Sequence, residues 1–148
     1  MKSAALSMLT FLAAVGAGFC PVQSVARALD LQLDCKSDAH TFIAPLLDDQ
    51  SIDPKPMRVE ANSVNAFRPT RGSNLTAFGF RVYAVLGYQR DDALFKQGDG
   101  QPIPGSAYGV VVLGSMESVG ARVQQAGSDA VVHQVVPLVL TAIFCNPQ

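Results

Sequence analysis

The chain has 148 residues, 49% of them hydrophobic and 16% charged, with a formal net charge of −1. That length and composition describe one domain with enough apolar material for a core, and they exclude a disordered chain. The slightly acidic balance excludes a generally basic nucleic-acid binder.

The first 28 residues read as a leader rather than as part of the fold. Lys2 gives a positive start, Ala4 to Phe19 carries no charge, and Val25-Ala-Arg-Ala28 sets small residues at the two positions a signal peptidase reads. The expected organisation is therefore a signal peptide over 1–28 and one exported domain over 29–148, periplasmic or secreted after cleavage near Ala28. The apolar run is short for a span of about 20 residues, so no stable membrane span is expected after cleavage.

Removing Lys2 and Arg27 leaves nine bases against twelve acids, a mature charge near −3. Cys20 leaves with the leader, and Cys35 and Cys145 remain as a lone pair, which in an oxidising compartment predicts a disulfide. There is no Cys-x-x-Cys and no neighbouring histidine, so the pair implies neither a metal nor a redox cofactor.

The mature chain opens with Leu29-Asp-Leu-Gln-Leu-Asp-Cys35, whose alternation predicts a strand with one buried face. Ala39, Phe42, Ile43, Leu46 and Leu47 then recur at helical spacing behind a capping Asp38. Pro45 interrupts the pattern, so this segment is expected to be a short helix or irregular cover. Residues 48–56 read as loop. Met57 to Ala61 alternates again as a short strand, and residues 62–74 read as an exposed loop pinned by Val64 and Phe67 and carrying Arg68 and Arg71.

Thr76 to Tyr88 is the clearest one-sided pattern. Phe78, Phe80, Val82, Ala84, Leu86 and Tyr88 fall on one face of an expected strand, with Arg81 and Tyr83 on the other. Residues 90–106 form a long connection in which Leu94 and Phe95 are apolar enough to pack down. Three elements follow: a strand over 107–114, a helix over 116–126 capped by Ser115 and stopped by Gly127, and a strand over 130–145. Eleven of the sixteen residues from Ala130 to Cys145 are Val, Leu, Ile, Ala or Phe, so this strand is expected to be buried on both faces, with a bulge or unpaired side at Pro137. The predicted fold is α+β: one mostly antiparallel sheet of about five strands, one or two helices and a C-terminal β-α-β unit whose two strands run parallel.

No motif fixes a chemistry. His40 and His133 are far apart in sequence, and a histidine on the final strand is expected to be a hydrogen-bonded sheet residue. No serine stands in a Gly-x-Ser-x-Gly turn. The distinctive feature is charge segregation: six acids and one base in residues 29–53, seven bases and three acids in residues 55–96. Arginine forks suit carboxylate and phosphate groups, so Arg68, Arg71 and Arg81, flanked by Tyr83 and Arg90, form a candidate surface for an anionic partner. The bland alternative is that these bases pair internally with the acidic N-terminal segment.

The expected function is accordingly a small exported binding or accessory protein, not an enzyme, acting through loops 62–74 and 90–106. Its expected partner is a protein of the cell envelope with an anionic surface, a class that includes enzymes or toxins it would inhibit. The alternative is a small hydrolase-type enzyme using His133 with a nearby carboxylate.

Overall fold

The computed structural model describes residues 25–146 together with Gly18 and Cys20. The predicted leader, apart from Gly18, Cys20 and residues 25–28, lies outside the described residues. The fold is α+β, with two α-helices and a mixed sheet of eight strands, three more than expected.

The strands are β1 (Arg27–Ala28), β2 (Arg58–Val59), β3 (Asn65–Phe67), β4 (Leu75–Ala77), β5 (Phe80–Gln89), β6 (Ser106–Leu113), β7 (Val131–Val136) and β8 (Leu140–Cys145). The helices are α1 (Ala39–Asp48) and α2 (Met116–Gln125). Along the main path the order is β1-β4-β5-β6-β8-β7, and the β2–β3 pair joins β5 beside β4. Only β1 with β4 is parallel; every other hydrogen-bonded pair is antiparallel.

Three sequence expectations are corrected. Residues 29–35 do not form a strand: Asp30–Leu33 is a turn of 3-10 helix that buries Leu29 and Leu33 and leaves Leu31 88% exposed. Leu29, which precedes the turn, and Leu33, which ends it, both reach the core while Leu31 does not, so the alternation of 29, 31 and 33 does not hold. The 76–88 segment is a hairpin, because Phe78 and Gly79 both take positive φ and close a two-residue turn between Ala77 and Phe80. Within β5 a register shift between Val82 and Ala84 inserts an extra residue, so the expected six-residue face is divided. Val82 and Val85 enter the main core, whereas Ala84 joins Val111 and Ala142 on the opposite face.

The third correction concerns the final segment, which is not one strand buried on both faces. Pro137 cannot donate to a ladder, and Leu138 takes positive φ, so the chain reverses between Val136 and Val139. The result is the hairpin β7–β8. β8 lies inside the sheet between β6 and β7, while β7 is an edge strand whose Val131, Val135 and Val136 are 53%, 52% and 41% exposed. The β-α-β expectation survives in altered form. β6 and β7 run in the same direction through α2, since each is antiparallel to β8, but β8 is inserted between them.

Both helices share one core with the sheet. Phe42, Ile43 and Leu46 of α1 and Val119 and Val123 of α2 belong to the same buried cluster as Val85, Val110, Val112 and Ile143. α1 settles closely because Gly87 faces it: a Cβ there would lie 2.8 Å from the Ile43 side chain. Pro45 is tolerated inside α1, where Asp38 caps the first turn by accepting from the Thr41 amide at 2.8 Å. The expected disulfide is present between Cys35 and Cys145, joining the end of the 3-10 turn region to the end of β8. Beside it Tyr108 is fully buried, and burial pushes its phenol pKa up although the oxygen accepts from the Ser37 amide.

Candidate functional site

The two loops expected to form the surface are stitched to each other. Residues 62–74 are not wholly exposed loop: they contain β3, whose Asn65, Ala66 and Phe67 are all buried against β5. The Asn65 amide nitrogen donates to the Ser63 and Lys96 carbonyls at 2.9 and 2.8 Å, and its oxygen accepts from the Lys96 amide at 3.0 Å. Further along, Gly98 N donates to Ser63 Oγ, Gly100 N to the Ala61 carbonyl and Ile103 N to the Asn62 carbonyl. A Cβ on Gly98 would lie 2.0 Å from the Glu60 carbonyl oxygen, so only glycine permits this approach. The middle of the 90–106 connection, irregular as it is, thus has the Lys96 amide and carbonyl and the Gly98, Gly100 and Ile103 amides satisfied by residues 61–65.

Beyond β3 the chain turns to β4 and carries Arg68 and Arg71. Phe67 stands opposite Val85 and Thr76 opposite Arg81, so residues 68–75 connect two strands that both pair with β5, and on the way Arg68 and Pro69 lie against Asp53 and Ile52. The turn over 70–73 is held in place from α1's end: Thr70 N and Ser73 Oγ donate to the Ser51 carbonyl, and Thr70 Oγ1 donates to the Gln50 carbonyl at 2.7 Å. Arg68, Arg71 and Arg81 are exposed, and Tyr83 is 48% exposed. Four of the five expected residues are thus exposed on the 68–73 segment and the start of β5, with Arg68 reaching Met57 Sδ at 3.9 Å; among the described residues no hydrogen bond joins any two of the four. Arg90 is not among them: it lies nine residues beyond Arg81, about 30 Å along an extended strand, and borders a separate hollow with Tyr88, Gln97 and Ile103.

Four of the six acids of the N-terminal segment are engaged elsewhere, while Asp53 borders an open hollow with Lys55, Met57 and Arg68. Asp30 accepts from the Phe78 amide, Asp34 from the Lys36 amide and Asp38 from the Thr41 amide, while Asp49 meets Arg27. The Thr41 amide holds the Asp38 carboxyl below its usual pKa. For Asp49, burial alone would raise the pKa, but hydrogen bonds from Ser51 and Arg27 outweigh it and the net shift is downward. Arg58 pairs with Glu60, and Arg90 reaches Asp91 at 3.9 Å across two exposed side chains. Among the described residues no ion pair involves Arg68, Arg71 or Arg81. Internal pairing with the acidic segment therefore does not account for these three charges.

His133 does not occupy a buried strand; it is exposed on β7. It borders an open concavity of about 530 Å³ with Asp129, Phe144, Asn146 and the disulfide residue Cys35. No hydrogen bond joins His133 to Asp129 among the described residues, and no hydroxyl or free thiol borders the concavity. Among the described residues, His133 therefore stands beside Asp129 without the hydrogen bond that orients a base in nucleophilic hydrolysis.

A second histidine was not singled out by sequence. His40 Nδ1 lies 2.6 Å from Asp92 Oδ2, and Asp92 Oδ1 also accepts from the Leu94 amide. The pair ties the first turn of α1 to the 90–106 connection. Its two members are 52 residues apart, and no local pattern announces such a pair. Other first-turn amides of α1 are also engaged, Ala39 N by Ser106 Oγ and His40 N by Gln89 Oε1, so that terminus offers no open anion site. Among the described residues, no group of three potential metal ligands is assembled and no helix is long and apolar enough to cross a membrane. Comparison with protein-family models, curated proteins and solved structures gives no match.

Proposed function

We propose that the chain is a small exported, non-enzymatic binding protein that receives an anionic partner, a protein of the cell envelope, on Arg68, Arg71, Arg81 and Tyr83. The observation that carries this reading is that Arg68, Arg71 and Arg81 are all exposed and none has an ion pair among the described residues. An arginine fork held without a carboxylate of its own is free to take one from a partner, in bidentate geometry. Tyr83, two residues beyond Arg81 on β5, adds an exposed aromatic ring, a residue type enriched where proteins meet. The turn that presents Arg71 is fixed by three hydrogen bonds to residues 50 and 51, which lowers the ordering entropy lost on binding.

The test is recovery of partner proteins from an envelope extract, with the wild type against Arg68→Ala/Arg71→Ala/Arg81→Ala. The wild type recovers a partner that the triple variant does not. Equal recovery by both overturns the three arginines as the binding surface.

The enzymatic alternative through His133 gains one point of support, since His133 and Asp129 do border the same concavity. It lacks a bonded base-acid pair and a nucleophile, so it ranks second. A hydrolytic activity abolished by His133→Ala would reverse that order.

A further inference from the structure

We propose that export processing cuts the Ala26–Arg27 bond and not the Ala28–Leu29 bond, so that Arg27 is the first residue of the mature protein. This rests on the reading that the chain is exported. The sequence offers two bonds of nearly equal merit. Ala26 and Ala28 place small residues three and one before the Ala28–Leu29 bond, while Ser24 and Ala26 do the same for the Ala26–Arg27 bond.

The structure separates them. Arg27 and Ala28 are β1, paired in parallel with Leu75 and Thr76 of β4. Arg27 N donates to the Asn74 carbonyl at 2.7 Å, and the next bond of the ladder runs from Leu29 N to the Thr76 carbonyl at 2.8 Å. The Arg27 guanidinium meets the Asp49 carboxylate just past α1 and reaches Ser51 Oγ at 3.2 Å. Ser51 is also the residue that holds the 70–73 turn carrying Arg71. A chain beginning at Leu29 loses the whole of β1, leaves Asp49 without its cation and leaves the Asn74 carbonyl without its donor.

A chain beginning at Arg27 loses none of these. Water adds across the Ala26–Arg27 amide: the leader departs with a carboxylate on Ala26, and the mature chain starts with an ammonium on Arg27. That ammonium still donates to the Asn74 carbonyl, and its charge lies on the residue that already faces Asp49. Only Lys2 is then lost among the bases, leaving ten against twelve acids and a mature charge of −2.

The test is intact-mass measurement and N-terminal sequencing of the exported protein made from the full 148-residue chain in a bacterial host. The expected product begins at Arg27. A product beginning at Leu29 or elsewhere overturns this inference and leaves export standing, whereas an uncut chain retained inside the cell overturns both. Two variants separate the bonds independently of folding. Ser24→Phe blocks only the upstream cut and is expected to abolish or displace processing; exposed Ala28→Phe blocks only the downstream cut and is expected to leave the Arg27 terminus unchanged. The opposite pattern overturns the assignment.

Discussion

Asn65 is the residue on which the two loops most depend, and replacing it gives a prediction that the structure sets in magnitude. Its side chain is fully buried and makes three hydrogen bonds, all to backbone groups of Ser63 and Lys96. Asn65→Ala removes all three and leaves the Lys96 amide and carbonyl without partners. At about 1 kcal/mol net for each bond, the loss is about 2 to 4 kcal/mol. For a domain of this size that lowers Tm by about 8 to 16 °C. Asn65→Asp keeps only the acceptor and turns a carboxylate toward two carbonyl oxygens, so it should be no less damaging than Ala. Urea or thermal unfolding gives the stability, and hydrogen exchange at the Lys96 amide gives the local effect. A change under about 0.5 kcal/mol with Lys96 protection intact would refute the claim that Asn65 holds the 90–106 connection in place.

The Cys35–Cys145 disulfide closes a loop of 110 residues, and in the chain-entropy account such a closure contributes about 4 to 5 kcal/mol at most. Cys35→Ala/Cys145→Ala should therefore lower Tm by up to about 15 °C in a thermal scan, and an unchanged or raised Tm would contradict that account. Asp38→Ala removes the α1 cap and should cost about 1 kcal/mol at neutral pH, measured by urea unfolding. Because the folded-state pKa of Asp38 is lowered, its contribution is present above the unfolded value near 3.9 and is lost as pH falls through the folded value. The difference between variant and wild type should then shrink below about pH 4; a difference that stays constant to pH 2 would exclude the carboxylate as its source. On the β7 edge, which carries no Lys, Arg, Asp or Glu, Val135→Lys should reduce aggregation in concentrated solution, followed by light scattering, without lowering Tm, since Val135 is half exposed. Unchanged scattering would show that this edge does not drive association.

Legibility in the sequence followed the range of the interaction. α2 was readable because its signals are local: a Ser115 cap, Val119 and Val123 one turn apart, and Gly127 just past the end. The disulfide was readable because the expected mature chain keeps only two cysteines. The β7–β8 hairpin was hidden because an apolar run looks the same whether it lies inside a sheet or along its edge, and only Pro137 marked the reversal. The face of β5 was misassigned at Ala84 because one inserted residue shifts the alternation after Val82, and alternation carries no sign of a bulge; Tyr88 still reaches the main core as expected. At the candidate site, the arginines were found by charge segregation, a property of composition. That none of them forms an ion pair was not legible, since it depends in part on Asp30, Asp34 and Asp38 turning to backbone amides instead.

The central claim is that Arg68, Arg71 and Arg81 are held for a partner and not for the fold. Its most direct measurement is fluorescence anisotropy of a labelled polyglutamate peptide titrated with wild type and with Arg68→Ala/Arg71→Ala/Arg81→Ala at low and physiological salt, alongside the Tm of both proteins. The account predicts binding by the wild type that weakens with salt, at least a tenfold loss in the variant, and equal Tm values. Equal binding by both proteins, or a variant several degrees less stable, would contradict it.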